Sequence, residues 1–476
     1  MKLDYRKGIV LLLVIGSLFR FYGLDHESLA NDELSTCYRS SFDSISSVIS
    51  RGVVPDKHPP GYQILMFFVE RSAGDSAVAL RFPSAAAGVI SIYLLFLLGR
   101  RLFSSSVGFL AAALMTFSPV HIWYSQEART YSILILMVTL SIYILTRMLD
   151  SLREKGCPGL LNIVSFALLN ILMEYFHYFG LLMVVLESGI LLLVTIYRRK
   201  NILYPVAVCV VSALAFLPWI PVAMEQSGND SYITMPGLTA LQSLLFEYMS
   251  WSRILMVVFT LLVAAAFVKC WKNERCIRRY PLRKLAVPVL WAALPILSAL
   301  AVSYVFVPVF TNRNLLVTLP AFFLLFSLSI HILLEKPRFR MAAGAFIVLL
   351  LAVQLLFIRG HYTRPHKSQF REVARFTAEN LDPNNEYLIV ASAWKEFYFD
   401  YYFQRFETGL SVDTLATMES DFPAVLYLIE GRNPDEIWFL WGHREPEEAL
   451  VDSMKKYSEE QEYFPFVFAG IWRFSL

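Results

Sequence analysis

The chain has 476 residues, 56% of them hydrophobic and only 17% charged, with a mean hydropathy of +0.51 and a formal net charge of +3. Soluble domains run about 45–50% apolar and about 25% charged, so this composition excludes a string of ordinary soluble domains and points to the bilayer. A helix crossing the hydrocarbon needs roughly 20 mostly apolar residues.

About eleven stretches meet that need, over residues 8–24, 83–99, 107–122, 130–147, 160–176, 178–197, 202–222, 254–271, 286–306, 314–334 and 341–359. Lys and Arg gather in cytoplasmic loops, and numbering the loops from an inside N-terminus sorts the cations sharply. The inside set, from Lys2, Arg6 and Lys7 to Lys336, Arg338 and Arg340, holds 21 of them. The short outside loops hold three, Arg129, Arg253 and Arg313. The first stretch has a basic flank but no small-x-small cleavage site, so it reads as a retained anchor. The expected fold class is an α-helical polytopic membrane protein with a small C-terminal α/β domain on the outer side. The expected boundaries are 1–360 for the membrane domain, whose first outer loop covers 25–82, and 361–476 for the soluble domain. The expected location is the cell membrane, with the N-terminus cytoplasmic.

The first outer loop carries Asn31-Asp32-Glu33 and then Asp56-Lys57-His58-Pro59-Pro60-Gly61-Tyr62. The next outer loop is Ser118-Pro119-Val120-His121-Ile122-Trp123-Tyr124-Ser125-Gln126-Glu127-Ala128-Arg129-Thr130-Tyr131. Glu174 and His177 stand at the outer end of the fifth stretch, and Thr311-Asn312-Arg313-Asn314 opens the tenth. Each has an ordinary explanation alone: solvated loop acids, an Arg snorkelling to headgroups, a rigid Pro-Pro turn. Together they put acids, histidines and two arginines on one side of the bilayer, where polar residues of a membrane protein mark candidate function. Glu187, near the middle of the sixth stretch, reads instead as a hydrogen-bonded or protonated helix contact.

The tail carries 11 Lys and Arg against 20 Asp and Glu, a net of −9, which argues against nucleic acid as a partner. Its pattern predicts an amphipathic helix over 368–381, a strand over 386–393 after an Asn384-Asn385 turn, and strands over 436–441 and 464–474 with a helix between. Of the five cysteines only Cys37 lies in an outer loop, so no disulfide framework is expected there.

The Asp32-Glu33 loop, the HPPGYQIL segment that begins at His58, the run LRFPSAAAGVISIYLLFLLGRRLF over 80–103 and SPVHIWYSQEARTYSILIL over 118–136 resemble the protein O-mannosyltransferase type of membrane glycosyltransferase. These belong to the C-type superfamily, with the bacterial aminoarabinose transferases as relatives. The resemblance covers the first 180 residues and reaches the later spans only through hydropathy and TNRN at 311–314. It implies transfer of a sugar from a polyprenyl-phosphate carrier to a protein, lipid or glycan acceptor outside the membrane, with an Asp of the Asp-Glu pair as general base. Asp32 is then the expected base, with Glu33 positioning it or the acceptor. Arg129 and Arg313 are expected on the donor phosphate, a role for which guanidinium is well shaped. Glu127 would orient Arg129 or the Asp-Glu loop, His58 would contact the phosphate or a metal, and Tyr131 and His177 complete the candidate substrate site. The metal is left undecided. The relatives carry an acid before the Lys-Pro of this loop, where Lys57-His58-Pro59 stands here, and His58 is the one candidate ligand. The non-enzyme alternative is a transporter or flippase for a lipid-linked or anionic substrate, although no inverted repeat or pair of broken helices is evident.

Overall fold

The structure, a computed structural model, describes residues 5–228, 233–382, 385–395, 397–410, 412–416 and 422–476. Lys2 and Asn384, used in the sequence reading, lie outside the described residues. The chain folds as two compact units. The first is built on the residues up to Tyr22 with Asp43–Phe68 and Arg81–Gly360, the second on Gly23–Phe42, Val69–Leu80 and His361–Leu476. The sequence suggested one cut, at 360/361; the fold instead draws two pieces of the first loop into the unit that contains the tail.

The first unit is a bundle of helices. Among the described residues, eight are long and apolar enough to cross a membrane: Ala77–Leu102, Tyr131–Glu154, Tyr178–Tyr197, Leu203–Ser227, Arg253–Lys272, Leu282–Val305, Asn314–Leu333 and Pro337–Ile358. Taken as one span, the pair Ser105–Phe117 and Pro119–Ser125, bent by 63°, makes a ninth. The bend sits where Pro119 cannot donate a backbone hydrogen bond. Ser118 there takes an extended conformation and caps the second helix by accepting from the His121 N–H at 3.3 Å. The other two expected stretches are the 17-residue helices Tyr5–Phe21 and Leu160–Phe176, each shorter than a straight crossing of about 20 residues. The chain is a multi-pass membrane protein with a small C-terminal sheet region.

Asn314–Leu333 is the most enclosed of these helices, while Leu203–Ser227 and Arg253–Lys272 leave most of their apolar surface open, as lipid-facing helices do. Glycine permits a close crossing: a Cβ on Gly99 would lie 2.6 Å from the Gly108 Cα. Two buried charges inside the bundle have partners. Arg20, fully buried, donates to the Met115 carbonyl at 2.9 Å, the Gly16 carbonyl at 3.1 Å and His121 Nδ1 at 2.7 Å. Glu187 accepts from the Ser141 hydroxyl, joining two spans. Cys270 and Cys276 are joined as a disulfide at the end of the Arg253–Lys272 helix, a local staple the sequence reading did not anticipate.

The second unit is α/β. Strands β1 (Tyr387–Ala393), β2 (Asp413–Ala416), β3 (Glu436–Gly442), β4 (Glu460–Phe466) and β5 (Ala469–Ser475) form one sheet in the order β2-β1-β3-β5-β4. β1 runs parallel to β2 and β3, whereas β5 runs antiparallel to β3 and β4. Every residue of central β3 is buried, matching its EIWFLWG sequence. β4 forms the exposed edge and carries Glu460 and Glu462, charges that discourage further strand pairing. The segment 464–474, expected as a single strand, is a hairpin that turns at Val467-Phe468, with Phe468 at φ 47°. The expected helix over 368–381 is found as Phe370–Asn380.

Candidate functional site

In the first unit the candidate residues are held by short polar turns at helix ends. The turn carrying Glu127 and Arg129 follows the bent helix. Gln126 fastens it by donating to the Tyr22 carbonyl at 2.8 Å, and the Ser84 hydroxyl donates to the Arg129 carbonyl at 3.0 Å. Arg129 is 6% exposed although it sits in a connecting turn. His177 occupies the break between Leu160–Phe176 and Tyr178–Tyr197, where its Nδ1 caps the second helix by accepting from the Phe179 N–H at 3.0 Å. That bond leaves the proton of a neutral imidazole on Nε2, and Nε2 is buried with no partner.

The Pro-Pro-Gly turn brings His58 to this histidine. A Cβ on Gly61 would meet the Tyr175 carbonyl oxygen at 2.6 Å, so only glycine lets the two segments approach so closely. The His58 and His177 rings lie 5.3 Å apart, and His58 Nδ1 is 3.1 Å from Asp56 Oδ2. Tyr131 packs at 6.0 Å from His177 and at 5.4 Å from Tyr124. Burial pushes the His177 imidazole well below its usual range, and His58, Arg129 and Arg313 add to that shift while Asp56 opposes it. Of the sequence-predicted set, His58, Arg129, Tyr131, His177 and Arg313 are therefore brought together. Glu127 and Arg313 also lie within electrostatic reach of Tyr124.

Sequence reasoning missed Glu247 and Arg359. Glu247, in the helix Ala240–Tyr248, accepts from the Tyr124 hydroxyl at 3.3 Å and from Asn312 Nδ2 at 2.9 Å. Burial raises its carboxyl above the ordinary value, while those two hydrogen bonds and Arg359 oppose the shift. The Arg359 guanidinium lies 3.7 Å over the Trp251 ring and 5.7 Å from that of Trp123. Hydropathy alone leaves 223–253 as a connector, and an Arg closing the last span reads as an ordinary snorkelling side chain.

Asp32 and Glu33 belong to the second unit, in the first turn of the helix Asn31–Ser40 rather than in open loop. Acids suit that position because the helix N-terminus carries partial positive charge. The two acids differ. Glu33 is fully buried, accepts from the Ala30 N–H at 3.0 Å and forms an ion pair with Lys367 Nζ at 3.0 Å. Asp32 is only half-buried and accepts from Asn31 Nδ2 at 3.4 Å. Around them the segment is stitched to its unit: the Ser28 hydroxyl donates to the Ser368 carbonyl at 2.5 Å, and the Leu29 N–H to the Tyr402 hydroxyl at 2.7 Å.

Among the described residues, no three or more His, Cys, Asp or Glu side chains gather as a metal site would require. His58 has Asp56 beside it, a pair that falls short of the ligand number common divalent cations take. The described residues do not fit a resident metal.

Residues 57–224 match the family described as dolichyl-phosphate-mannose-protein mannosyltransferase. No curated protein matches the chain in sequence. Among solved structures, ArnT from Cupriavidus metallidurans in the apo state is similar at a TM-score of 0.59 and 12% identity, over 98% of this chain and 97% of that one. The same protein bound to undecaprenyl phosphate is similar at 0.55 and 12%, with the same coverage. The Archaeoglobus fulgidus oligosaccharyltransferase in complex with Zn and sulfate gives 0.50 and 13%, over 91% of this chain and 67% of that one. Residues 57–224 thus carry a domain of the mannosyltransferase family, and the fold of the chain is that of ArnT.

Proposed function

We propose that the chain is a membrane glycosyltransferase of the C type that moves a sugar from a polyprenyl-phosphate carrier to an acceptor on the outer face of the membrane, by inverting attack with Asp32 as general base. The observation that carries the reading is the gathering of Arg129, Arg313 and His58 about the buried His177. A cationic, partly dehydrated pocket of that kind suits a lipid-borne phosphate, and guanidinium groups hold phosphate oxygens in a planar, two-point grip. The undecaprenyl phosphate bound by the similarly folded ArnT supports the same ligand class.

In the proposed step, the acceptor oxygen attacks the anomeric carbon and gives its proton to the Asp32 carboxylate. The bond from that carbon to the phosphate oxygen breaks, and the carrier leaves as a phosphate monoester. Such a leaving group needs positive charge more than a general acid, in keeping with the arginines. Glu33 is committed to Lys367 and to its own helix terminus, a structural role that suits it to hold the helix bearing Asp32. The 21-to-3 asymmetry of cations supports an outward-facing site.

The experiment is to supply purified protein with radiolabelled polyprenyl-phosphate sugars and a membrane extract as the source of acceptor. The expected result is label on an acceptor together with free polyprenyl phosphate. Movement of intact donor between leaflets of a vesicle without cleavage would overturn the reading in favour of a flippase.

A further inference from the structure

We propose that Glu247 is a positioning residue that sets the spacing of Arg129 and Arg313 by tying together the two turns that carry them; this rests on the reading of both arginines as donor-phosphate ligands. Each oxygen of the carboxylate serves a different turn. Oε1 accepts from Tyr124, 123 positions earlier in the chain, and Oε2 accepts from Asn312, 65 positions later. Tyr124 closes the bent helix five residues before Arg129, and Asn312 directly precedes Arg313.

The tie is part of a larger strap. Asn312 Nδ2 also donates to the Ser243 hydroxyl at 3.1 Å, one turn before Glu247 on the same helix. The Tyr248 hydroxyl donates to the Leu315 carbonyl and lies 3.1 Å from the Thr318 hydroxyl. Three polar residues of Ala240–Tyr248 thus grip the turn that opens the Asn314–Leu333 span, while Glu247 alone reaches across to the other turn. Tyr124 extends the connection through its ring contact with Tyr131, which packs on His177. Arg359, stacked on Trp251, adds a positive charge that favours the Glu247 carboxylate beside its two hydrogen bonds.

A negative charge beside a phosphate site is unfavourable in itself, so electrostatics and positioning predict opposite signs. Glu247→Gln keeps an acceptor for Asn312 and a group for the Tyr124 hydroxyl while removing the charge; Glu247→Ala removes both bonds. The measurement is the dissociation constant of undecaprenyl phosphate with the full chain in detergent, together with KM and kcat for the donor. Positioning predicts a Gln variant within about twofold of wild type, and an Ala variant weakened about tenfold with kcat little changed at saturating donor, the scale of one or two hydrogen bonds. It further predicts that Glu247→Ala adds less than about twofold in an Arg313→Lys background, because coupled residues are not additive.

Equal effects of Gln and Ala, tighter binding in both, or full additivity with Arg313→Lys would overturn the proposal. Wild-type affinity in the Arg313→Lys chain would remove the phosphate reading and this inference with it. A weakened Arg313→Lys chain beside an unaffected Glu247→Ala chain would remove the tie alone. Should Glu247→Ala fail to fold, Tyr124→Phe and Asn312→Ala each cut one arm and are expected to weaken binding about two- to fivefold, with unchanged affinity in both contradicting the tie.

Discussion

Lys367 Nζ lies 3.0 Å from Glu33 Oε2, with the Glu33 side chain wholly buried and that of Lys367 6% exposed. Residues 334 positions apart are thereby joined, linking the helix of the Asp-Glu motif to the tail within one compact unit. Removing one partner of a buried pair strands the other charge and typically costs about 3–5 kcal/mol. Lys367→Met is therefore expected to lower the unfolding midpoint markedly, and Lys367→Met with Glu33→Gln to recover much of the loss. A thermal unfolding series in detergent checks this, and equal midpoints for the wild type and the single variant would contradict it.

A second prediction concerns Glu70, which shares that unit and accepts from the Ser40 hydroxyl at 2.5 Å. Burial, with Asp75 adding to it, raises its carboxyl from 4.5 to about 7. The folded state therefore holds this proton more tightly than the unfolded chain does. By linkage, its contribution is fully favourable below pH 4.5 and is lost progressively as pH rises to about 7. Glu70→Gln, which cannot ionise, should raise the unfolding midpoint at pH 8 and have little effect at pH 5. Unfolding curves at both values check the sign, and an unchanged difference between them would show that Glu70 does not titrate in this window.

The arginines give the third. A lysine at position 129 or 313 keeps the charge but loses the planar fork. Each Arg→Lys change should weaken polyprenyl-phosphate binding by about tenfold, the scale of a charge-assisted hydrogen bond, and leave acceptor preference as it was. Titration of the purified variants with the carrier lipid reads the first effect, and product analysis with mixed acceptors reads the second. Normal affinity in both variants would exclude them as phosphate ligands.

What the sequence made legible follows from how local each signal is. The spans were readable because twenty apolar residues in a row admit few alternatives, β1 because it is a short apolar run after a turn, and the Phe370–Asn380 helix because its periodicity is strong. The β4–β5 hairpin was not, because its turn at Val467-Phe468 lacks the Asn-Gly type of signal that usually marks one. Motif residues His58, Arg129, His177 and Arg313 were visible as polar groups at the ends of apolar runs, and the fold gathers them. Glu247 was not visible, since its role depends on Tyr124 and Asn312 arriving from distant turns. The ion pair that occupies Glu33 was not visible either, because its lysine, Lys367, comes from the tail.

The central claim is that Asp32 takes the acceptor's proton, and sugar transfer by Asp32→Asn at saturating donor tests it most directly. Asparagine keeps the size and the place at the helix terminus but accepts no proton, so transfer should fall by about 10²–10⁴-fold, with polyprenyl-phosphate binding and the unfolding midpoint close to wild type. Transfer at the wild-type rate by a folded, donor-saturated Asp32→Asn chain would contradict the account.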